Sequence, residues 1–144
     1  MNNMNNLILI KSALGFLEKE HHFSLREDPP QYYYFESSNC EILITFELSK
    51  VYVDIGPIGN AKSKLLNSGI RAGRADVKIV SQCLDPKREF TDLPWDAKIN
   101  IEEELTLYAK LIKQYCQKMI AGDFSEWQII QNCLKARREK LRNT

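Results

Sequence analysis

Residues 41–55 carry the pattern that most narrows what this chain can fold into. Along residues 41–48, Ile42, Ile44, Phe46 and Leu48 alternate with Glu41, Leu43, Thr45 and Glu47. Residues 51–55 repeat the alternation, with Val51, Val53 and Ile55 set against Tyr52 and Asp54. A period of two places one set on each face of a strand. A two-residue turn at Ser49 and Lys50 pairs Leu48 with Val51, Phe46 with Val53 and Ile44 with Ile55, so that all six share a face. Upstream, residues 31–36 are aromatic and strand-like. A turn at Ser38 and Asn39 pairs Phe35 with Ile42 and Tyr33 with Ile44. The result is a three-stranded antiparallel meander with one apolar side.

Such a sheet needs a cover. Residues 7–20 supply one, since Leu7, Ile10, Leu14 and Leu17 recur at helical spacing. The Asn-rich residues 1–6 are expected to fray. Pro29 and Pro30 end any helix and start the extended segment. Gly56, Pro57 and Gly59 break the third strand, and residues 60–67 read as a short helix closed by Ser68 and Gly69. Residues 70–84 fit either period: Val77, Ile79 and Cys83 suit a strand, while Val77, Val80 and Leu84 suit a helix. Residues 85–98 read as a loop anchored by Phe90 and Trp95.

The C-terminal third is helical. Asn100 caps a helix with Glu103 in the manner of a capping box, and Glu102, Glu103 and Glu104 complement its dipole. Leu105, Tyr108, Ile112, Tyr115 and Met119 form its apolar stripe. Gly122 stops it, and Ser125 with Gln128 opens a last helix carrying Trp127, Ile130, Leu134 and Leu141. The short connection implies an antiparallel helical hairpin. The whole is therefore expected to be one α+β domain over residues 1–144: an N-terminal helix on a three-stranded antiparallel meander, plus a C-terminal hairpin.

Composition limits function. Hydrophobic residues make up 44% and charged residues 27%, with a net charge of +1, which excludes disorder and blanket binding to polyanions. The longest apolar run near the N-terminus, residues 7–10, is too short for a signal peptide or a membrane span. Cys40, Cys83, Cys116 and Cys133 lie far apart, and His21 and His22 are the only histidines. No metal site is expected from such spacing, and the cysteines read as free thiols in a reducing cytoplasm.

Catalytic patterns are similarly thin. The glycines fit no phosphate-binding loop, so no cofactor is implied. Cys40 and His22 could form a nucleophilic pair only by meeting in space, and His21 and His22 suit the C-terminal dipole of the first helix. Glu41 and Glu47 share a strand face but lie about 20 Å apart, too far to act on one bond. Glu36 falls opposite Glu41, a like-charge pair that solvent or a cationic partner must relieve.

The face opposite the apolar side draws attention. It carries Tyr32, Tyr34, Glu36, Glu41, Leu43, Thr45, Glu47, Tyr52 and Asp54, with no Lys or Arg from the three strands. Charge is also unevenly spread. Residues 1–60 hold four basic and eight acidic residues, and residues 61–144 hold sixteen and eleven. Lys135, Arg137, Arg138, Lys140 and Arg142, with Glu139, form a basic tail that suits a helix C-terminus. No aromatic residue interleaves with it to stack on bases, so a nucleic-acid partner is not the expected one.

Three segments carry a family resemblance. They are Gly15-Phe16-Leu17-Glu18-Lys19-Glu20-His21-His22-Phe23 before an aromatic strand, the alternating hairpin of residues 42–55, and the closing helices running into Ala121-Gly122-Asp123-Phe124-Ser125-Glu126-Trp127. Outside residues 57–99, the chain resembles the small bacterial α+β proteins of toxin–immunity loci. The resemblance implies tight inhibition of a cognate toxin without a cofactor, and it transfers no binding residue.

The expectation is thus a non-enzymatic, cytoplasmic, immunity-like binding protein. Tyr34, Glu36, Glu41, Glu47, Tyr52 and Asp54 would meet a protein partner such as a basic toxin domain. In a competing arrangement the C-terminal helices cover that face and place Tyr32, Tyr34 and Leu43 in the core; burial of Tyr34, Leu43 and Tyr52 together would remove the binding face. Two other functions compete: a nucleic-acid accessory protein using the basic C-terminal helix, and a small enzyme with a dispersed pocket around His22 and Cys40.

Overall fold

The computed structural model describes residues 3–87 and 100–142. In chain order these are α1 (Asn3–Leu14), α2 (Phe16–His21), β1 (Ser24–Asp28), β2 (Tyr32–Glu36), β3 (Cys40–Glu47) and β4 (Lys50–Pro57). There follow α3 (Gly59–Asn67), β5 (Ala75–Asp76), α4 (Val77–Leu84), α5 (Ile101–Tyr115), α6 (Gln117–Ile120) and α7 (Trp127–Arg142). The chain is mixed α+β, with the strands in one antiparallel sheet of order β1-β2-β3-β4-β5.

The meander is the centre of this sheet, not its whole. Phe35 pairs with Ile42 and Tyr33 with Ile44, as the alternation requires. In the next hairpin the register differs by two residues: Phe46 pairs with Val51, Ile44 with Val53 and Ile42 with Ile55. The turn is therefore Leu48 and Ser49, and Glu47 meets Lys50, an opposite-charge pair that favours this register. A shift of two keeps every side chain on its expected face. Leu48 alone changes role. It leaves the apolar face for a turn position at φ 57°, 93% exposed.

The flanking strands are additions to the expected three. β1 lies against β2, with Leu25 opposite Phe35, and its only partly buried residue is Leu25. An edge strand buried on one side carries no strong alternation, so Ser24-Leu25-Arg26-Glu27-Asp28 does not read as a strand. The prolines occupy the turn after it rather than the end of a helix. At the other edge, Ala75 and Asp76 pair with Ile55 and Asp54.

One face of the sheet is a continuous core. Tyr33, Phe35, Ile42, Ile44, Phe46, Val51, Val53 and Ile55 are all buried. Each such side chain stabilises the fold by about 1.5–3 kcal/mol. A one-residue slip would turn the set outward and cost on the order of the whole stability of a domain this size.

Helices α1 and α5 pack together in this core, and α5 also contacts β4. The first helix starts earlier than expected. Asn6 is buried inside it, its amide donating to the Pro30 carbonyl at 3.5 Å beside Tyr33, which ties an Asn-rich segment expected to fray. The single expected helix is also split at Gly15. There a Cβ would collide with the Lys11 carbonyl oxygen, so the close backbone approach requires glycine. His22 closes α2 in the left-handed region at φ 59°, while Phe23 N–H returns to the Leu17 carbonyl.

Helix α3 forms where expected, and Asn39 of the β2–β3 turn caps it from a distance, accepting from Ala61 N–H at 3.1 Å. Residues 77–84 resolve as helix, because Asp76 caps them by accepting from Lys78 N–H at 2.8 Å. The loop anchors Phe90 and Trp95 lie outside the described residues.

The Asn100 cap is present, accepting from Glu103 N–H at 2.8 Å. The C-terminal helices do not form a simple hairpin. Helix α4 packs against both α5 and α7, so the last helix rests mainly on α4. Cys83 of α4 and Cys133 of α7 form a disulfide with Cα atoms 5.8 Å apart. This corrects the expectation of four free thiols; only Cys40 and Cys116 are free, both buried. A pair 50 residues apart carries no spacing signature. Among the described residues no helix is long and apolar enough to cross a membrane.

Candidate protein-binding face

The sheet registers align the outer face into rows across the strands. Arg26, Tyr34, Leu43, Asp54 and Asp76 form one complete row over all five strands. Asp28, Tyr32, Thr45 and Tyr52 form the next, and Glu36 with Glu41 lies on the other side of the first. All six expected site residues thus share one surface.

Their charges are not as the three strands alone imply. Arg26, from the unanticipated β1, stacks over Tyr34 at 3.9 Å and bonds Glu36 at 2.8 Å. Arg74, just before β5, bonds Glu41 at 2.6 Å. The like-charge pair Glu36–Glu41 is thereby neutralised within the chain. A face expected to lack cations carries two arginines, each spent on one acid. Glu47 stands exposed next to the turn, opposite Lys50.

Exposure is graded along the face. Leu43 is buried, Tyr34 is half-buried, and Tyr32 and Tyr52 are each 38% exposed. The competing arrangement, with Tyr32, Tyr34 and Leu43 all in the core, does not occur, and Tyr34, Leu43 and Tyr52 are not all buried. Tyr32 and Tyr52 flank Thr45 on neighbouring strands and leave a tyrosine surface open.

The β4–β5 end of the complete row runs into a buried polar cluster. Asp76 accepts the Tyr108 hydroxyl at 3.0 Å with one oxygen and caps α4 with the other. Burial holds the Asp76 carboxyl above its ordinary range, and burial next to this carboxylate also pushes the Tyr108 phenol up. Lys78 is buried, 3.0 Å from Glu104 and 5.0 Å above the Tyr108 ring. Asp54 lies directly across from Asp76. Burial first, and then the charge of Asp76, raises its carboxyl to about 6, with Arg74 opposing.

No protein-family model, curated protein or solved structure matches the chain.

From sequence, Glu104 reads as part of a helix N-terminus and Tyr108 as part of an apolar stripe, and nothing joins them to Asp76 and Lys78. The four come from three elements, and pattern within one element does not report on contacts between them. Asp76 carries a readable signal, that of a capping residue directly before an apolar helical run. The dispersed-pocket pair is not assembled: Cys40 is fully buried and His22 is exposed at the end of α2. Burial raises the Cys40 thiol and pushes Cys116 up to about 12, so neither is an activated thiolate at neutral pH. Among the described residues no three His, Cys, Asp or Glu side chains converge to hold a metal ion.

Proposed function

We propose that this chain is a non-enzymatic binding protein whose outer sheet face meets a protein partner, in the manner of an immunity-type inhibitor of a bacterial toxin domain. The supporting observation is the tyrosine surface of Tyr32 and Tyr34 on β2 and Tyr52 on β4, the two strands that flank β3. Tyrosine offers a large, rigid contact at low entropic cost, which is why it recurs at binding hot spots. Glu36 and Glu41 are committed to Arg26 and Arg74. That leaves Asp28, Glu47 and Asp54 as the acids to meet a cationic group, so the tyrosines carry most of the affinity and the charges mainly steer the encounter.

The reading places the chain in the cytoplasm beside its target. The reading rests on the tyrosine face and not on the redox state of the Cys83–Cys133 bridge between α4 and α7.

The test is co-expression with a toxin-type protein encoded in the neighbouring reading frame. The expected result is a stable complex that protects the host cell, weakened at least about tenfold by Tyr52→Ala or Tyr34→Ala. No complex with that neighbour, or one indifferent to both substitutions, overturns the proposal.

A further inference from the structure

A second surface lies away from the tyrosine face. The segment 69–71 runs alongside α7 and leaves a groove of about 400 Å3 between them. Arg71, Lys135, Arg138 and Arg142 line it, with Glu139 as its one acid. We propose that this groove binds the phosphate backbone of a nucleic-acid duplex.

Placement of the cations is the main argument. Positions 135, 138 and 142 are spaced by three and four residues, so they stand in one stripe along about 10 Å of helix. Arg137 belongs to the same basic run but turns away, donating to Gln82 on α4 at 3.1 Å. The fourth cation comes from elsewhere in the chain. Trp127, fully buried, donates its indole N–H to the Arg71 carbonyl at 2.9 Å and pins that segment against α7. A favourable helix dipole accounts for Lys140 and Arg142 in the last turn. It does not account for Arg71 on the opposite wall.

These cations are available. Each residue from 135 to 142 is exposed. Among the described residues no ion pair engages any of the four.

The lining also selects the class of polyanion. No aromatic side chain borders the groove, so it offers no stacking platform for unpaired bases. A lipid surface asks for a bulky apolar face beside the cations. Here Ile70 is the one bulky apolar side chain of the lining, Leu141 stands exposed outside it, and the stripe continues upstream through the amide of Gln131. Charge and amides together suit a duplex, whose phosphates are regularly placed.

The experiment is a binding titration of the full chain with a short labelled duplex, at about 50 and about 200 mM salt. Four phosphate contacts give a slope of log K against log salt of about −3.6, so affinity should fall on the order of a hundredfold. Arg138→Gln with Arg142→Gln, both exposed, should leave the fold intact and flatten the slope by about 2. The control Lys62→Gln with Lys64→Gln should leave it unchanged. Tyr34→Ala and Tyr52→Ala should also bind duplex normally, which separates this inference from the proposed protein-binding face. The inference is overturned by no duplex binding at low salt, by a slope that ignores the Arg138 and Arg142 changes, or by tighter binding to phosphatidylglycerol vesicles or tripolyphosphate.

Discussion

Glu36 and Glu41 face each other across the β2–β3 pair, and each is held by an arginine from outside that hairpin. Arg26 reaches Glu36 from the edge strand, and Arg74 reaches Glu41 from the segment before β5. The outer face is thus charged but largely self-compensated. Arg74→Ala should lower stability by about 1 kcal/mol, because Glu41 is the more buried acid and would face Glu36 unpaired. Urea denaturation of Arg74→Ala, Glu41→Gln and the double variant checks this; additive single effects would mean that the pair is not coupled.

Asp54 makes stability depend on pH. Its carboxyl is raised from 3.8 to about 6 on folding. A raised acid favours the folded state while protonated, so that stability is fully present below about pH 4 and is lost as pH rises through about 6. Asp54→Asn removes the effect. The variant should be more stable than the parent at pH 7 by roughly 1 kcal/mol, after discounting for partial exposure. The advantage should vanish by about pH 4. Thermal melts across this range would contradict the assignment if the difference did not change with pH.

The Cys83–Cys133 bridge closes a span of 50 residues. Chain-entropy arguments assign such a loop about 4 kcal/mol at most, with measured bridges often giving less. Reduction, or Cys83→Ser with Cys133→Ser, should therefore lower the urea midpoint clearly. The same reductant should leave the double variant unchanged. Mass analysis of non-reduced peptides would show directly whether the two cysteines are joined.

Leu48 holds an unfavourable place, an exposed apolar side chain at positive φ. Asn tolerates the left-handed region and is favoured in two-residue hairpin turns. Leu48→Asn should stabilise the fold by about 0.5–1 kcal/mol. A destabilised variant would mean that Leu48 is packed, as the alternative register requires.

Strand period, helix caps and core faces could be read without coordinates, because they depend on neighbours in sequence. Phe35 opposite Ile42 and the Asn100 cap are of this kind. The candidate face was legible as a set of residues, since alternation alone puts Tyr34, Glu41, Tyr52 and Asp54 on one side. Its charge was not. Arg26 lies in an edge strand without strong alternation, and Arg74 lies 33 residues from its acid.

The sequence by itself determined a mixed α+β domain with an apolar sheet face, because burial imposes a period that local pattern records. Tertiary structure alone decided where Leu48 stands, what neutralises Glu36 and Glu41, which helix α7 rests on, and that Cys83 meets Cys133. Those outcomes join segments distant in the chain. Their energy resides in contacts between elements, and no periodicity within one element can encode it.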